Sequence, residues 1–422
     1  MKFESDAAFA ARLDEKDELA QYRAAFHFPD PDLIYLDGNS LGRLTLKSAE
    51  RLKEVVDREW GEDLIRGWNK GWYEAPSRVG EKIAKLIGAA PQQVIVTDST
   101  SVNLFKLAMA ALMLRPGRKN IVSEAFNFPS DLYILQGCIQ LMGGDHQLRL
   151  VSSQDGVQIE EDSFLDAIDE GTALVTFSHV AFKSGYRYNI EKIAEKAHQM
   201  GAMILVDLSH SAGVLPIQLD TWEVDLAVGC TYKYLNGGPG SPAFLYVHKE
   251  LLQEVRSPIW GWFGQHQPFN FDLEYRPVDD IRRFLVGSPS ILYLLGLEPA
   301  LDLIQSAGID RISEKSKQLT SYLIHLVQHE LEPLGFQLGT PLDPEKRGSH
   351  VSLRHPEGYR INRSLIEEMS VIPDFREPDF LRLGLAPLYT SFVDVWQAIE
   401  RIKTVVMEGR YRMYSKERIE VT

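Results

Sequence analysis

The 422-residue chain carries 45 Lys and Arg against 59 Asp and Glu, a formal net charge of −14, with 44% hydrophobic and 25% charged residues. That length supports a large core and two domains, and the acidic balance argues against nucleic acid or an anionic membrane as a partner. Two cysteines, Cys138 and Cys230, exclude a disulfide framework or a zinc site, no apolar run is long enough to span a bilayer, and the acidic start lacks a hydrophobic signal core, so a cytoplasmic protein is expected.

The polar stretch to about Arg23 predicts an N-terminal helix, Leu33–Asp37 a short strand and Gly38–Gly42 a turn. Helical spacing runs from Ser48 to about Trp60. The segment Arg66-Gly67-Trp68-Asn69-Lys70-Gly71-Trp72 has no clear period and either packs or lines a pocket for a flat ring. Strands and helices then alternate, as in a parallel sheet with crossover helices. Val94–Val96 is a strand, and Asp98-Ser99-Thr100-Ser101 opens a helix to about Leu114. Four capping-type residues exceed what one N-cap needs, and a helix start rich in hydroxyls and free N–H groups is a ready anion site. Asn120–Ser123 is the next strand, followed by Phe126–Asp131 and a helix. Ala173–Phe177 leads to Ser178-His179, and Ile190–Met200 is an amphipathic helix. Met203–Val206 ends at Asp207, Val224–Gly229 leads to Tyr232-Lys233-Tyr234, and Ala243–Val247 closes the series.

Residues 256–283 are irregular and aromatic. Helices are expected over Ile291–Gln305 and Asp310–Leu331, then short strands at Phe336–Leu338, Val351–Leu353 and Leu381–Leu383, with helices near Ile361–Met369 and Phe392–Val405. This change of pattern divides the chain into an N-terminal segment (1–30), an α/β large domain (31–300) with a mainly parallel sheet, and a smaller α+β C-terminal domain (301–422).

Asp207 and Lys233 stand at or just past the C-terminal ends of two buried apolar strands, where ligands sit in open α/β sheets. A carboxylate and an amine so placed suit pyridoxal phosphate: the lysine forms a Schiff base with the aldehyde, and the acid keeps the pyridine nitrogen protonated. The plainer alternative is a snorkelling lysine and a helix-capping aspartate. Gly238-Pro239-Gly240-Ser241-Pro242 lacks the third glycine and the strand–helix setting of a dinucleotide fingerprint, and no Walker A, H-E-x-x-H or C-x-x-C motif occurs.

Tyr232-Lys233-Tyr234-Leu235-Asn236-Gly237-Gly238-Pro239-Gly240 resembles the kynureninase family. So do Tyr35–Gly42, Asp98–Asn103, Phe128–Asp131, Gly261–Gly264 and Leu385–Tyr389, which follow the family's order over nearly the whole chain. The resemblance implies a fold type I pyridoxal-phosphate enzyme, aspartate-aminotransferase-like and homodimeric, that hydrolyses L-kynurenine to anthranilate and L-alanine in tryptophan catabolism and NAD biosynthesis. It implies that Lys233 carries the cofactor, Asp207 pairs with the pyridinium nitrogen, Phe128 stacks on the ring with Asp131 beside it, and Thr100 and Ser101 meet the phosphate. Tyr232, Trp262 and Ser288 add phosphate contacts, some from the neighbouring subunit, and Ser178 and His210 complete the shell. Arg382 clamps the substrate carboxylate, with Asn39 and Ser40 nearby. Tyr232 is the expected proton donor and acceptor. Trp68, Gly287 and Ser288 match the bacterial pattern preferring kynurenine to 3-hydroxykynurenine.

Each position has a quieter reading. His210 suits a hydrogen-bonded core histidine, Trp262 packing or an interface, Ser288 a cap, and Arg382 a salt bridge to Asp374 or Glu377. Two departures stand out: Ala181-Phe182 replaces a polar residue and a tyrosine common in the family, and Ser288 stands where relatives carry threonine or asparagine. The rival readings are a cysteine desulfurase or aminotransferase on the same fold, and a cofactor-holding regulatory protein without turnover. A desulfurase needs a reactive exposed cysteine, whereas Cys138 falls in an apolar helix pattern and Cys230 just after a buried strand.

Overall fold

Polarity alone predicts a helix to Arg23, but the chain bends earlier. In the computed structural model, which describes residues 3–417, α1 (Ala7–Glu15) is capped by Asp6, and a 3-10 turn at Ala20–Ala25 follows. β1 (Ile34–Tyr35) precedes α2 (Leu46–Glu54), whose expected extension to Trp60 loosens from Val55 into a π-type coil ending at Asp63. The alternating series is α3 (Ala75–Leu86), β2 (Val94–Val96), α4 (Thr100–Leu114), β3 (Asn120–Glu124), α5 (Pro129–Leu141), β4 (Gln147–Val151), α6 (Glu161–Asp166), β5 (Thr172–Ser178), α7 (Ile190–Gln199), β6 (Met203–Asp207), β7 (Leu226–Gly229) and β8 (Phe244–Val247).

These strands form a seven-stranded sheet in the order β2-β8-β7-β6-β5-β3-β4. β8 runs antiparallel to β2 and β7, and the other pairings are parallel. Every residue of β3, β5, β6 and β7 is buried, the signature of strands covered by helices on both faces. The edge strand β4 is only partly buried, so its mixture of Gln147, Arg149 and apolar residues gives no continuous apolar run.

After α8 (Ile291–Ala307) and α9 (Ile309–Leu326) come β9 (Gln337–Leu338), β10 (His350–Arg354), α10 (Gly358–Glu368), β11 (Val371–Ile372), β12 (Asp374–Arg376), β13 (Phe380–Gly384) and α11 (Phe392–Met407). Strands β12-β13-β10-β9 make an antiparallel sheet, and β11 pairs in parallel with β1. The apolar core beside this sheet joins Leu323, Val351, Leu381 and Ile399 to Phe9, Ala10, Ile34 and Leu36 from the start of the chain. Asp14 fastens the ends together by accepting from the amides of Phe392 (2.7 Å) and Val393 (3.0 Å) at the start of α11. The Gly38–Gly42 turn crosses to the large sheet, where the Gly42 amide donates to the Tyr232 carbonyl at 2.8 Å. A Cβ on Gly42 would stand 2.3 Å from the Lys233 carbonyl oxygen, so only glycine permits that approach.

Candidate active site

A cavity of about 350 Å³ opens beyond the C-terminal ends of β6 and β7, against the starts of α4 and α5. Thr100, Ser101, Phe128, Asp131, Asp207, His210, Tyr232 and Lys233 all line it, joined by Asp98, Ser209, Ser241 and Ser290. Parallel strands deliver Asp207 and the segment after β7 to one rim, and the crossovers bring two helix starts to face them. Ser99 caps α4, and the N–H groups of its first turn precede the first intrahelical bond, from Asn103 to the Ser99 carbonyl. The Ser101 and Ser130 hydroxyls lie 2.8 Å apart, joining the two helix starts.

Asp207 is buried, and one of its oxygens, Oδ1, accepts from the Ser209 amide (2.8 Å) and hydroxyl (2.6 Å). Oδ2 has no protein partner among the described residues. Burial raises the pKa of this carboxyl, while Ser209 and the positive charge of Lys233 oppose the rise. Asp131 is pushed well above the usual carboxylate range by burial and by the nearby negative charge of Asp207, and its Oδ2 is buried without a partner. Lys233 Nζ stands 2.9 Å from His210 Nε2, 6.0 Å from the Phe128 ring centre and 5.9 Å from that of Tyr232. Burial first, then Lys233, holds the His210 pKa far below its usual value, so His210 is neutral and accepts from Lys233 Nζ. The Tyr232 phenol is raised by burial and stays protonated.

Next to this cavity lies a buried charged cluster. Arg382 on β13 stands directly across from Asp374 on one side and Ser352 on the other. Its guanidinium donates to Asp374 Oδ2, to the Phe182 carbonyl (2.5 Å) and to the Ser40 hydroxyl (3.2 Å), while Nε is buried without a partner. Ser40 and Arg376 also donate to Asp374, at 3.0 and 2.6 Å. Asn39 is fully buried with neither amide atom paired. The salt bridge to Asp374 weighed from sequence is therefore present, and Arg382 still keeps one unpaired donor.

Five of the expected residues lie elsewhere. Ser178 does not line the cavity; its hydroxyl donates to Asn127 Oδ1 at 2.9 Å, and the same oxygen accepts from the Phe128 amide. Trp68 and Trp262 both pack on Phe263, with ring centres 5.8 and 4.8 Å away. Gly287 and Ser288 are exposed and follow Val286, whose carbonyl accepts from the Phe263 amide. Trp68, Trp262, Gly287 and Ser288 thus gather on one face outside the cavity of their own chain. Sequence reasoning missed Ser209, Asn127 and Ser290. Ser209, a polar residue two positions past a buried strand, carried the one usable signal.

Cys138 and Cys230 are both buried. Burial pushes the Cys138 thiol up to about 12 and raises that of Cys230, so neither is an activated nucleophile.

Against solved structures, the chain resembles the apo structure of a cysteine desulfurase from Thermococcus onnurineus NA1, with a TM-score of 0.80 over 92% of this chain and 98% of that one at 18% identity. A cysteine desulfurase from Escherichia coli gives a TM-score of 0.79 over 93% and 99% at 17% identity. The architecture is therefore fold type I of the pyridoxal-phosphate enzymes, an assignment of fold alone at such identities. A family model described as the kynureninase C-terminal domain matches residues 312–402. A kynureninase from Burkholderia mallei is 42% identical over 408 residues, 96% of each chain, and one from Pseudomonas fluorescens is 42% identical over 393 residues, 92% of each. Similarity of that order, running through the large sheet, the lined cavity and the arginine cluster alike, makes this chain a member of the kynureninase family.

Proposed function

We propose that this protein binds pyridoxal 5′-phosphate in the cavity and hydrolyses L-kynurenine to anthranilate and L-alanine. The observation that carries the reading is Lys233 facing the cavity beside Asp207, with the Arg382 cluster adjoining it. The residues fit the cofactor: the Asp207 hydrogen bonds among the described residues all fall on Oδ1, leaving Oδ2 open, and the buried Oδ2 of Asp131 is orphaned. The start of α4 supplies N–H groups and hydroxyls for a phosphate. Thr100 and Ser101 would hold the phosphate, Phe128 would cover one ring face, Asp207 would keep the ring nitrogen protonated, and Lys233 would make the covalent link. Bound there, the group supplies an electron sink for negative charge at the substrate α-carbon.

The remaining work falls to this chain's own side chains. Arg382, with Ser40 and Asn39 beside it, orients the substrate α-carboxylate through a planar fork. Lys233 Nζ takes the α-proton, and neutral His210 holds that nitrogen in place by accepting from it. Tyr232, protonated at neutral pH, delivers and recovers a proton at its Oη. Ser178 acts through Asn127 to fix the start of α5, which presents Phe128 and Asp131.

The face carrying half-buried Trp68 with exposed Trp262, Gly287 and Ser288 supports a homodimer in which each copy completes its partner's site. Trp68, Gly287 and Ser288 also support a preference for kynurenine over 3-hydroxykynurenine, since an indole leaves a phenolic hydroxyl without a partner. Among the described residues no helix is long and apolar enough to cross a membrane, in keeping with our reading of a cytoplasmic enzyme of tryptophan breakdown and NAD supply.

Mixing the cofactor-loaded protein with L-kynurenine and following anthranilate fluorescence tests the reading; absence of anthranilate overturns it. Tyr232→Phe should lower kcat by about 10²–10⁴-fold, the usual range for a general acid–base group. A variant turning over normally removes that role.

A further inference from the structure

A second cavity, of about 430 Å³, lies on the other side of the end of β5. One wall is His179, the residue after Ser178; another is Tyr186-Arg187-Tyr188, the return arm of a short hairpin closed by the antiparallel bridge between Val180 and Arg187. Arg187 is the chemically telling residue. Its one side-chain hydrogen bond runs from Nε to His179 Nε2 at 3.4 Å, and among the described residues no carboxylate stands within ion-pair distance of it. Burial lowers its pKa, and Glu345 is the charge that opposes the drop. A half-buried guanidinium without a counter-charge is unfavourable, and its terminal nitrogens form a fork that matches a carboxylate.

The rest of the lining narrows the class of ligand. Trp222 stands edge-on to His179 at 6.2 Å, and with Tyr186 it offers an aromatic wall. Four glutamates line the same cavity beside Arg187 and Lys346: Glu161 and Glu345 are paired to Lys192 and Lys317, whereas Glu160 and Glu191 have no ion-pair partner among the described residues. An anion alone would meet these carboxylates unfavourably; a cation alone would leave Arg187 unanswered. A zwitterion answers both, and the volume is that of a small-molecule site.

We propose that this cavity binds an aromatic α-amino acid, its carboxylate on Arg187, its ammonium toward Glu160 and Glu191, and its ring against Trp222 and Tyr186. The hairpin that forms the wall also carries Phe182, whose carbonyl accepts from Arg382 and whose ring stands edge-on to Phe128 at 5.4 Å. Occupancy of this cavity thus reaches the Arg382 cluster through one short hairpin, and by linkage the effect is reciprocal. The binding itself does not depend on the proposed reaction.

The test uses the full-length protein loaded with cofactor and labelled with 5-fluorotryptophan, the Trp222 resonance being assigned with Trp222→Phe. L-Phenylalanine, benzoate and 2-phenylethylamine are titrated separately. L-Phenylalanine should shift the Trp222 resonance saturably at millimolar concentration, and each half-ligand should bind at least tenfold more weakly. Arg187→Gln should weaken phenylalanine at Trp222 at least tenfold. A Trp222 signal that does not saturate, benzoate binding as tightly as phenylalanine, or unchanged affinity in Arg187→Gln each overturns the proposal. The half-ligand comparison stands if that variant fails to fold. Failure of kynurenine turnover would overturn the proposed function and leave this titration intact.

Discussion

Replacing Asp374 by asparagine should destabilise the protein far more than loss of any surface ion pair. Asp374 is fully buried and Arg382 nearly so, with side-chain exposures of 0% and 2%. The Arg376 side chain that shares this carboxylate is 35% exposed, so its pairing is screened and contributes little. Nearly all the effect therefore comes from stranding the Arg382 charge, which costs about 3–5 kcal/mol for a broken buried pair. The carbonyl of Phe182 and the hydroxyl of Ser40 remain as acceptors or neighbours of the guanidinium, which favours the lower end. Urea unfolding followed by tryptophan fluorescence reads the difference. A loss under about 1 kcal/mol, the range of exposed pairs, would refute the reasoning. A companion variant sharpens the test: Asp374→Leu with Arg382→Met removes both charges and should regain most of the stability, since apolar replacement of a whole buried pair is often neutral. That double variant should still fail to turn over kynurenine.

Glu124, fully buried with Oε1 unpaired, has its pKa pushed up to about 8 from an ordinary 4.5, chiefly by burial. The folded state thus favours the neutral acid, and this contribution, complete below 4.5, is lost as pH rises through about 8. Glu124→Gln should gain stability relative to the native protein across that window, by on the order of 5 kcal/mol at ~1.4 kcal/mol per pH unit; a pH-independent difference in urea midpoints would count against it. Cys138→Ala with Cys230→Ala should keep anthranilate formation within a few-fold of native. Collapse of activity in a folded double variant would revive a thiol-based chemistry.

The sheet was legible because its central strands are buried on both faces and so appear as unbroken apolar runs: Met203–Val206 and Ala173–Phe177 need no context to be read. Such runs carry no direction, however, and nothing local announces that β8 runs against its neighbours. β4 escaped because an edge strand with Gln147 and Arg149 has no apolar run to recognise. At the site, the helix start at Thr100-Ser101 and the pair Asp207 and Lys233 were legible as chemistry, since polar groups at the ends of buried strands are conspicuous. Asn127 was not, because it serves other side chains through hydrogen bonds that leave no period in the sequence, and Ser209 offered only its place just past a buried strand. The coupling of Asp374 to Arg382 lies between. The two are eight positions apart, and only the antiparallel register of β12 and β13 makes them face one another.

The joining of α1 and β1 to the C-terminal core has a consequence for synthesis on the ribosome. Phe9, Ala10, Ile34 and Leu36 are translated long before their packing partners, which run from Leu319 to Val405. At about 5–20 residues per second, the greasy leading segment waits tens of seconds while every strand of the seven-stranded sheet emerges ahead of its own partners. Nascent chains of this protein therefore need shelter over this early segment, and removing either α1 or α11 strikes the same core.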